Sequence, residues 1–357
     1  MIDLCFDGRY IKPDHPDGIS RFSLGLIREL SSLCRLTVLV SDQAVADKLP
    51  ASVQTIKLTP VTSPFEFFTA RRLNRLGVSL VFSPMQTTSS FSRRFKLILT
   101  LHDLIYYRHR TPPAEFNFFI RILWRLYHLS YLPQRLLLNK ADLVVTVSET
   151  TKRQMLQHKL TKRSIEVVYN AADEPESLIA NNQADNRNLV YMGSFIGYKN
   201  VETLIRGVAL LPEHTLVLLS RISESRRQQL QALATELGAK VRFENGVTET
   251  EYHHWLTNSQ ALVTASLDEG FGIPVIEAME RGLPVVGSNL EIFEEIGGDA
   301  LISFEPMNPK DFANQVMKLE NPETWTKYSH LSLAQAKKFS WRQSAQRLLE
   351  IAGGIAS

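Results

Sequence analysis

The sequence predicts an α/β protein of about two domains, and three observations predict it. Short apolar runs at residues 2–6, 36–40, 78–83, 97–101 and 143–147 alternate with helix-length segments. That alternation is the pattern of a parallel sheet covered by helices on both faces. The chain has 357 residues, a length suited to about two domains. Charge is divided between the halves: residues 1–170 hold 24 Lys plus Arg against 13 Asp plus Glu, net +11, whereas the remainder holds 16 against 24, net −8. A boundary near residue 170 therefore separates a basic half from an acidic half.

Composition excludes several classes. With 44% hydrophobic and 22% charged residues the chain is ordinary for a globular protein. No run approaches the ~18 apolar residues of a membrane span, and the start, Met1-Ile2-Asp3-Leu4-Cys5-Phe6, reads as a strand without a basic leader region, so a cytoplasmic protein is expected. Cys5 and Cys34 sit in apolar stretches and read as buried free thiols, with no spacing for zinc and no indication of redox chemistry. Nucleic acid is a poor partner, because the pI near 8.7 arises from one half only and no recognition motif accompanies it.

Taken in order, the first strand leads into a loop, residues 7–18, holding Gly8, Pro13, Pro16 and Gly18, with a helix starting near Ile19. Ligands of open α/β sheets bind outside the carboxyl ends of the strands, so this loop borders the expected crevice. Gly18 alone reads as a turn residue. His102-Asp103 follows the fourth strand, where an imidazole can hydrogen-bond a ligand hydroxyl, although a lone His there is usually structural. Residues 116–132 have helical periodicity, with Phe116, Phe119, Leu123, Leu126 and Tyr127 on one face and Arg121, Arg125 and His128 on the other. Upstream, Phe65, Phe67 and Phe68 precede Arg71, Arg72 and Arg75, and Arg93, Arg94 and Lys96 flank Phe95. Two readings stand: a buried apolar stripe with a solvated basic face, or a patch resting on anionic lipid.

Residues 172–187 are polar and poorly periodic, which suits a linker. Beyond it come strand-like runs at 189–192, 216–219, 261–266 and 285–288. The run at 261–266 leads into Glu269-Gly270-Phe271-Gly272-Ile273-Pro274-Val275-Ile276-Glu277, a strand-loop-helix junction, since Pro274 suits a first helical turn. Gly270 and Gly272 let backbone approach a ligand, and the N–H groups of the helix start favour an anion such as phosphate. Glu269 lies on the loop and Glu277 about one turn into the helix, so each carboxylate can accept hydroxyl hydrogen bonds at one mouth. The plainer reading is a loop charge and a solvated helix residue.

Glu-x7-Glu with Gly-Phe-Gly inside it, followed by Ala278, Met279, Gly282 and Pro284-Val285-Val286, resembles the signature of the retaining glycosyltransferases of family GT4. The resemblance extends to Gly18-Ile19-Ser20-Arg21-Phe22, His102-Asp103-Leu104, Ala141-Asp142 through Ser148, Tyr169-Asn170-Ala171-Ala172-Asp173, the Gly193 to Asn200 loop, Gly246-Val247, Glu295, and a terminal helix after Phe339-Ser340-Trp341. It departs from the family at Ser194 and Tyr198, where an arginine is common, and at Ala171, where glycine is common. Arg221 is the nearest candidate to supply the missing charge.

The resemblance implies a GT-B fold: two doubly wound Rossmann-like domains facing across a cleft. Residues 1–171, completed by helix 341–353, would form the acceptor-side domain, and residues 188–340 the nucleotide-sugar domain. It implies a retaining, metal-independent hexosyltransferase that uses a nucleoside diphosphate sugar, needs no cofactor, and acts on a glycan or lipid-linked acceptor in envelope polysaccharide synthesis. Glu269, His102 and Lys199 would be catalytic. Gly18, Ser194, Arg221, Gly246, Gly270, Phe271, Gly272, Ile273 and Glu277 would bind the donor. Arg71, Arg72, Arg75, Arg121 and Arg125 would face the acceptor and an anionic membrane surface, giving a cytoplasmic protein peripheral on the inner membrane face. No Asp-x-Asp pair occurs, and no metal site is expected. Two rivals remain open, a nucleotide-sugar epimerase of GT-B-like fold and a catalytically silent scaffold that binds carbohydrate or a partner.

Overall fold

The computed structural model describes residues 2–13, 17–112, 116–175, 178 and 182–356. The chain forms two compact units, Met1–Ala171 with Ser340–Ser357, and Ala172–Phe339. Pro16 and part of the expected linker (176–177 and 179–181) lie outside the described residues.

The first unit is built on seven strands, β1 (Asp3–Asp7), β2 (Arg35–Val40), β3 (Gln54–Lys57), β4 (Leu80–Ser83), β5 (Lys96–Thr100), β6 (Leu143–Thr146) and β7 (Ile165–Val167). Their order is β3-β2-β1-β4-β5-β6-β7 and every pairing is parallel. Central strands are covered on both faces, which is why β4 and β6 are buried at all four positions and read as continuous apolar runs. The edge strand β3 reads Gln-Thr-Ile-Lys and is largely exposed, so no apolar run announced it.

Helix Gly18–Leu33 starts where the Asp17 carboxylate accepts the Ser20 N–H at 2.9 Å, and it buries Phe22, Leu26, Ile27 and Leu30. The terminal helix, Trp341–Ala356, packs on it. A Cβ at Gly25 would lie 2.3 Å from the Trp341 ring, so only glycine admits the indole there. Ser344 Oγ donates to the Tyr169 carbonyl at 2.7 Å, and Arg347 pairs with Glu166 at 2.8 Å.

Two sequence expectations are corrected in this unit. The helical stretch at 116–132 is two helices, Phe118–Tyr127 and Leu132–Leu138, and the apolar face of the first is not a buried stripe, since none of its residues is buried. What packs is the aromatic edge: Trp124 stands against Tyr106 at 5.1 Å and Tyr131 against Tyr107 at 4.4 Å. Both cysteines are free, but only Cys5 is buried; Cys34 is half-buried.

The second unit carries β8 (Asn188–Tyr191), β9 (Thr215–Leu218), β10 (Val241–Phe243), β11 (Ala261–Thr264), β12 (Val285–Ser288) and β13 (Leu301–Phe304), ordered β10-β9-β8-β11-β12-β13 and again all parallel. Asn182 donates to the Pro322 carbonyl at 2.7 Å and Gln260 donates to the Ala184 carbonyl at 3.0 Å, which fastens the segment before β8 to this unit.

Candidate active site

The site in the second unit forms where two loops at the carboxyl edge of its sheet meet, one after β8 and one after β11. The first loop runs through Gly193 and closes in a short turn, Gly197–Lys199, followed by Asn200 in the left-handed conformation at φ 51°. Asn200 is buried; its amide donates to the carbonyls of Ala265 at 3.1 Å and Pro306 at 2.7 Å, and its Oδ1 accepts from Thr203 at 2.9 Å. The Leu267 N–H donates to the Tyr198 carbonyl at 2.7 Å. These bonds staple the two loops together and carry Lys199 to the acidic residue of the second.

Lys199 Nζ lies 2.5 Å from Glu269 Oε1, with side-chain exposures of 15% and 13%. Ser266 Oγ donates to the same carboxylate oxygen at 2.9 Å, so Glu269 is oriented from two sides. Gly272 then caps the helix Ile273–Glu280 at φ 95°, where a Cβ would also press to 2.8 Å from the Phe293 ring. Both constraints demand glycine, and they leave the N–H groups of the helix start clear of side chain. The pieces at this mouth are a cation, a carboxylate and a helix N-terminus, a set that holds an anion joined to a hydroxyl-rich group.

Glu277 is buried rather than solvated, and it accepts a 2.7 Å hydrogen bond from the hydroxyl of Tyr252, which comes from the helix Glu249–Thr257. Gly270 and Phe271 are buried, and the Phe271 ring stands edge-on to Phe339 at 5.9 Å, so its side chain packs the core. Ile273 is the first helical residue and half-buried. Ser194 is exposed, its carbonyl taking the Tyr191 hydroxyl at 2.7 Å. Arg221 is exposed and lies along Gly246, which has φ 104° and whose Cβ would fall 2.7 Å from Arg221 Cγ.

Two residues beside the candidate site escaped sequence reasoning. Arg226, in the first turn of the helix Glu224–Leu237, donates to the Phe195 carbonyl at 3.0 Å and pairs with Glu202 at 2.6 Å, placing a guanidinium beside the first loop. Its signal was the Ser223 N-cap three residues earlier. Tyr252 had no signal, since its partner Glu277 is 25 residues away.

Two family models together match residues 16–338: one described as "Glycosyl transferases group 1" covers residues 174–338, and one described as "Glycosyltransferase Family 4" covers residues 16–175. The chain belongs to the group 1, family 4 glycosyltransferases. Among its curated relatives are the O-antigen chain mannosyltransferase RfbU of Salmonella typhimurium, 26% identical over 52% of this chain and 54% of that protein, and O-antigen chain mannosyltransferase B of Escherichia coli, 29% identical over 43% and 42%. The chain thus spans about half the length of these relatives. Sucrose-phosphate synthase from Thermosynechococcus elongatus superposes with a TM-score of 0.78 at 16% identity over 99% of this chain and 98% of that one. HepE of Anabaena, solved with UDP and glucose, superposes at 0.75 and 18% over 99% and 100%. The fold is the two-domain α/β GT-B architecture.

The remaining site residues expected in this family member lie in the first unit. His102 follows β5 and is half-buried, its ring edge-on to Phe22 at 5.2 Å, one turn beyond Gly18. His102 Nε2 lies 2.8 Å from the Pro84 carbonyl and must donate to it, so Nδ1 is the acceptor of a neutral ring. Burial holds the imidazole below its usual pKa, against the opposing pull of the Pro84 carbonyl and Asp17. Arg71, Arg72 and Arg75 are exposed on the helix Thr69–Arg75, Arg125 is exposed, and Arg121 is half-buried.

A buried network that the sequence did not disclose underlies the first of these helices. Arg9 pairs with Asp7 at 2.7 Å and with Glu66 at 2.6 Å, and Glu66 also accepts from Thr69 at 2.9 Å and from the Ser89 N–H at 3.0 Å. Among the described residues no group of three or more His, Cys, Asp or Glu is placed to hold a metal ion, and no helix is long and apolar enough to cross a membrane.

Proposed function

We propose that the chain is a retaining hexosyltransferase that moves a mannose- or glucose-type hexose from a nucleoside diphosphate sugar to an acceptor hydroxyl in cell-envelope glycan synthesis. The observation that carries this reading is the Lys199–Glu269 pair at the helix Ile273–Glu280, stapled in place by Asn200. The names of the O-antigen relatives support the acceptor class, and the UDP and glucose held by the Anabaena neighbour support the donor class.

In this reading Lys199 and the N–H groups of the helix start take the diphosphate, whose charge rises as it departs. Glu269 accepts hydroxyls of the transferred sugar, Glu277 with Tyr252 shapes the ribose side, and His102 Nδ1 accepts a ring hydroxyl. The bond from C1 to the β-phosphate oxygen breaks, its electron pair staying on that oxygen. The acceptor oxygen bonds to C1 on the same face, and its proton passes to the departing phosphate. Neither Glu269 nor His102 forms a covalent intermediate, and the step uses no metal or cofactor. The basic first unit takes the acceptor, glycan or lipid-linked, at an anionic membrane surface on the cytoplasmic side.

The test is a donor panel of UDP-, GDP- and ADP-hexoses with nucleotide release and product anomer as readouts. Glu269→Ala should keep the melting temperature and lose turnover by roughly a hundredfold or more. Near-normal turnover, or an inverted product, overturns the reading.

A further inference from the structure

The first unit carries apolar surface that no described residue covers. Phe118, Phe119 and Leu123 of the helix Phe118–Tyr127 are 71%, 75% and 65% exposed, and Leu126 continues the same face. Single exposed apolar residues are ordinary, but a contiguous face of this kind marks an interaction site. The helix is held by other residues, Trp124 against Tyr106 and the Tyr127 hydroxyl donating to Gln134 Oε1 at 2.8 Å, so the exposed face is not a consequence of poor docking.

Charge identifies the occupant. The same helix carries Arg121 and Arg125, with Arg125 next to the Phe118 edge of the apolar face, and residues 116–141 contain no Asp or Glu. A second surface repeats the pattern: Phe67 and Phe91 stack at 4.3 Å, Arg71 lies 5.8 Å over Phe68 and 5.6 Å over Phe91, and residues 67–102 contain no acid. The helix Phe118–Tyr127 follows β5, Phe67 and Phe68 follow β3, and Phe91 follows β4, all strands of a wholly parallel sheet, so these segments leave it from the same carboxyl edge. A second copy meeting this face by two-fold symmetry would set arginine against arginine. An anionic bilayer satisfies both features, with acyl chains for the phenylalanines and leucines and lipid phosphates for the guanidinium groups.

We propose that the helix Phe118–Tyr127 lies in the interface of an anionic membrane with Phe118, Phe119 and Leu123 inserted, and that the Phe67–Phe91 surface is a second contact. This deepens, and rests on, the reading of a membrane-borne acceptor. It adds that attachment is apolar as well as electrostatic, so part of it survives salt.

The experiment is co-sedimentation with vesicles of three parts phosphatidylcholine to one part phosphatidylglycerol, at low salt and at 1 M, where screening reaches only about 3 Å. Wild type should pellet at low salt and retain a measurable fraction at 1 M. Phe119→Ser with Leu123→Ser should lower partitioning roughly a hundredfold at both salts, as expected for two side chains no longer leaving water. Arg121→Glu with Arg125→Glu should lose the salt-sensitive part alone. If the serine variant pellets like wild type, or wild type does not pellet, the proposal is wrong. Sedimentation without lipid reads the rival: a wild-type dimer abolished by the serine pair would assign the face to a second copy. Donor hydrolysis on the same samples separates this from the transferase reading. No nucleotide release by any sample counts against transfer, while the vesicle result stands on its own.

Discussion

The Lys199–Glu269 pair makes a counter-intuitive prediction: removing the carboxylate's charge should tighten binding of the nucleoside diphosphate product while ending sugar transfer. In the unliganded site Lys199 is already satisfied by Glu269 at 2.5 Å, and both side chains are mostly buried. A diphosphate that recruits Lys199 must displace that partner and leaves Glu269 facing added negative charge until sugar hydroxyls arrive. Glu269→Gln keeps the volume and an oxygen for the Ser266 hydroxyl, now at 2.9 Å, while deleting the competing charge. A hydrogen bond between charged groups contributes about 1.5–3 kcal/mol net. Taking the lower end for a site that water still reaches gives about tenfold tighter binding, at 1.4 kcal/mol per decade. Lys199→Ala should weaken binding of the diphosphate about tenfold and leave the nucleoside alone nearly unchanged; the double variant should recover part of that loss. Titration calorimetry of nucleoside and nucleoside diphosphate on the four proteins reads the cycle. If Glu269→Gln binds the diphosphate no more tightly than wild type, the pair is not a competitor for the ligand and the reasoning fails.

Other outcomes can be stated more briefly. Tyr252→Phe strips the buried Glu277 carboxylate of a 2.7 Å donor, which should cost about 1–3 kcal/mol and lower the melting temperature of the second unit by several degrees. Gly25→Ala forces a methyl to within 2.3 Å of the Trp341 ring, and overpacking of about 1–3 kcal/mol should appear as a lower melting temperature of the first unit with altered tryptophan emission. Glu280 is pushed up from 4.5 to about 8, first by burial and then by Glu174 and Asp173, against Arg281. A folded-state pKa raised this way gives stability that is full below about 4.5 and lost as pH rises through about 8, so wild type should melt lower at pH 8.5 than at pH 5. Glu280→Gln should shrink that difference, and an unchanged pH profile would show that the carboxyl is not the cause.

The strands that sit between neighbours were legible because burial on both faces writes them as apolar runs; β4 and β6 are of this kind. Edge strands were not, since β3 is polar and β7 has three residues. The periodicity of 116–132 announced a helix with two faces, but periodicity does not say which face meets protein, and the packing edge proved to be Trp124 and Tyr131. Lys199 and Glu269 were each legible through resemblance. Their contact was not, because it depends on Asn200 adopting φ 51° and reaching Ala265 and Pro306, a tie across 65 and 106 residues. Arg9 and Glu66, 57 apart, form a part-buried ion pair that no local pattern reveals.

The discontinuity of the first unit has a consequence for how the molecule is made. Residues 172–339 form the second unit, and the segment that seats Trp341 over Gly25 is synthesised only after them. At ~5–20 residues per second the ribosome takes roughly ten to thirty seconds over the intervening stretch. Throughout that interval the groove beside Phe22 and Gly25 lacks its indole, so the first unit to emerge is the last to be sealed. A chain released before Trp341 would carry a complete second unit and a first unit whose apolar groove is open. Chaperone capture of nascent chains stalled between residues 172 and 339 should therefore map to the first unit, and should end once the terminal helix is free to dock.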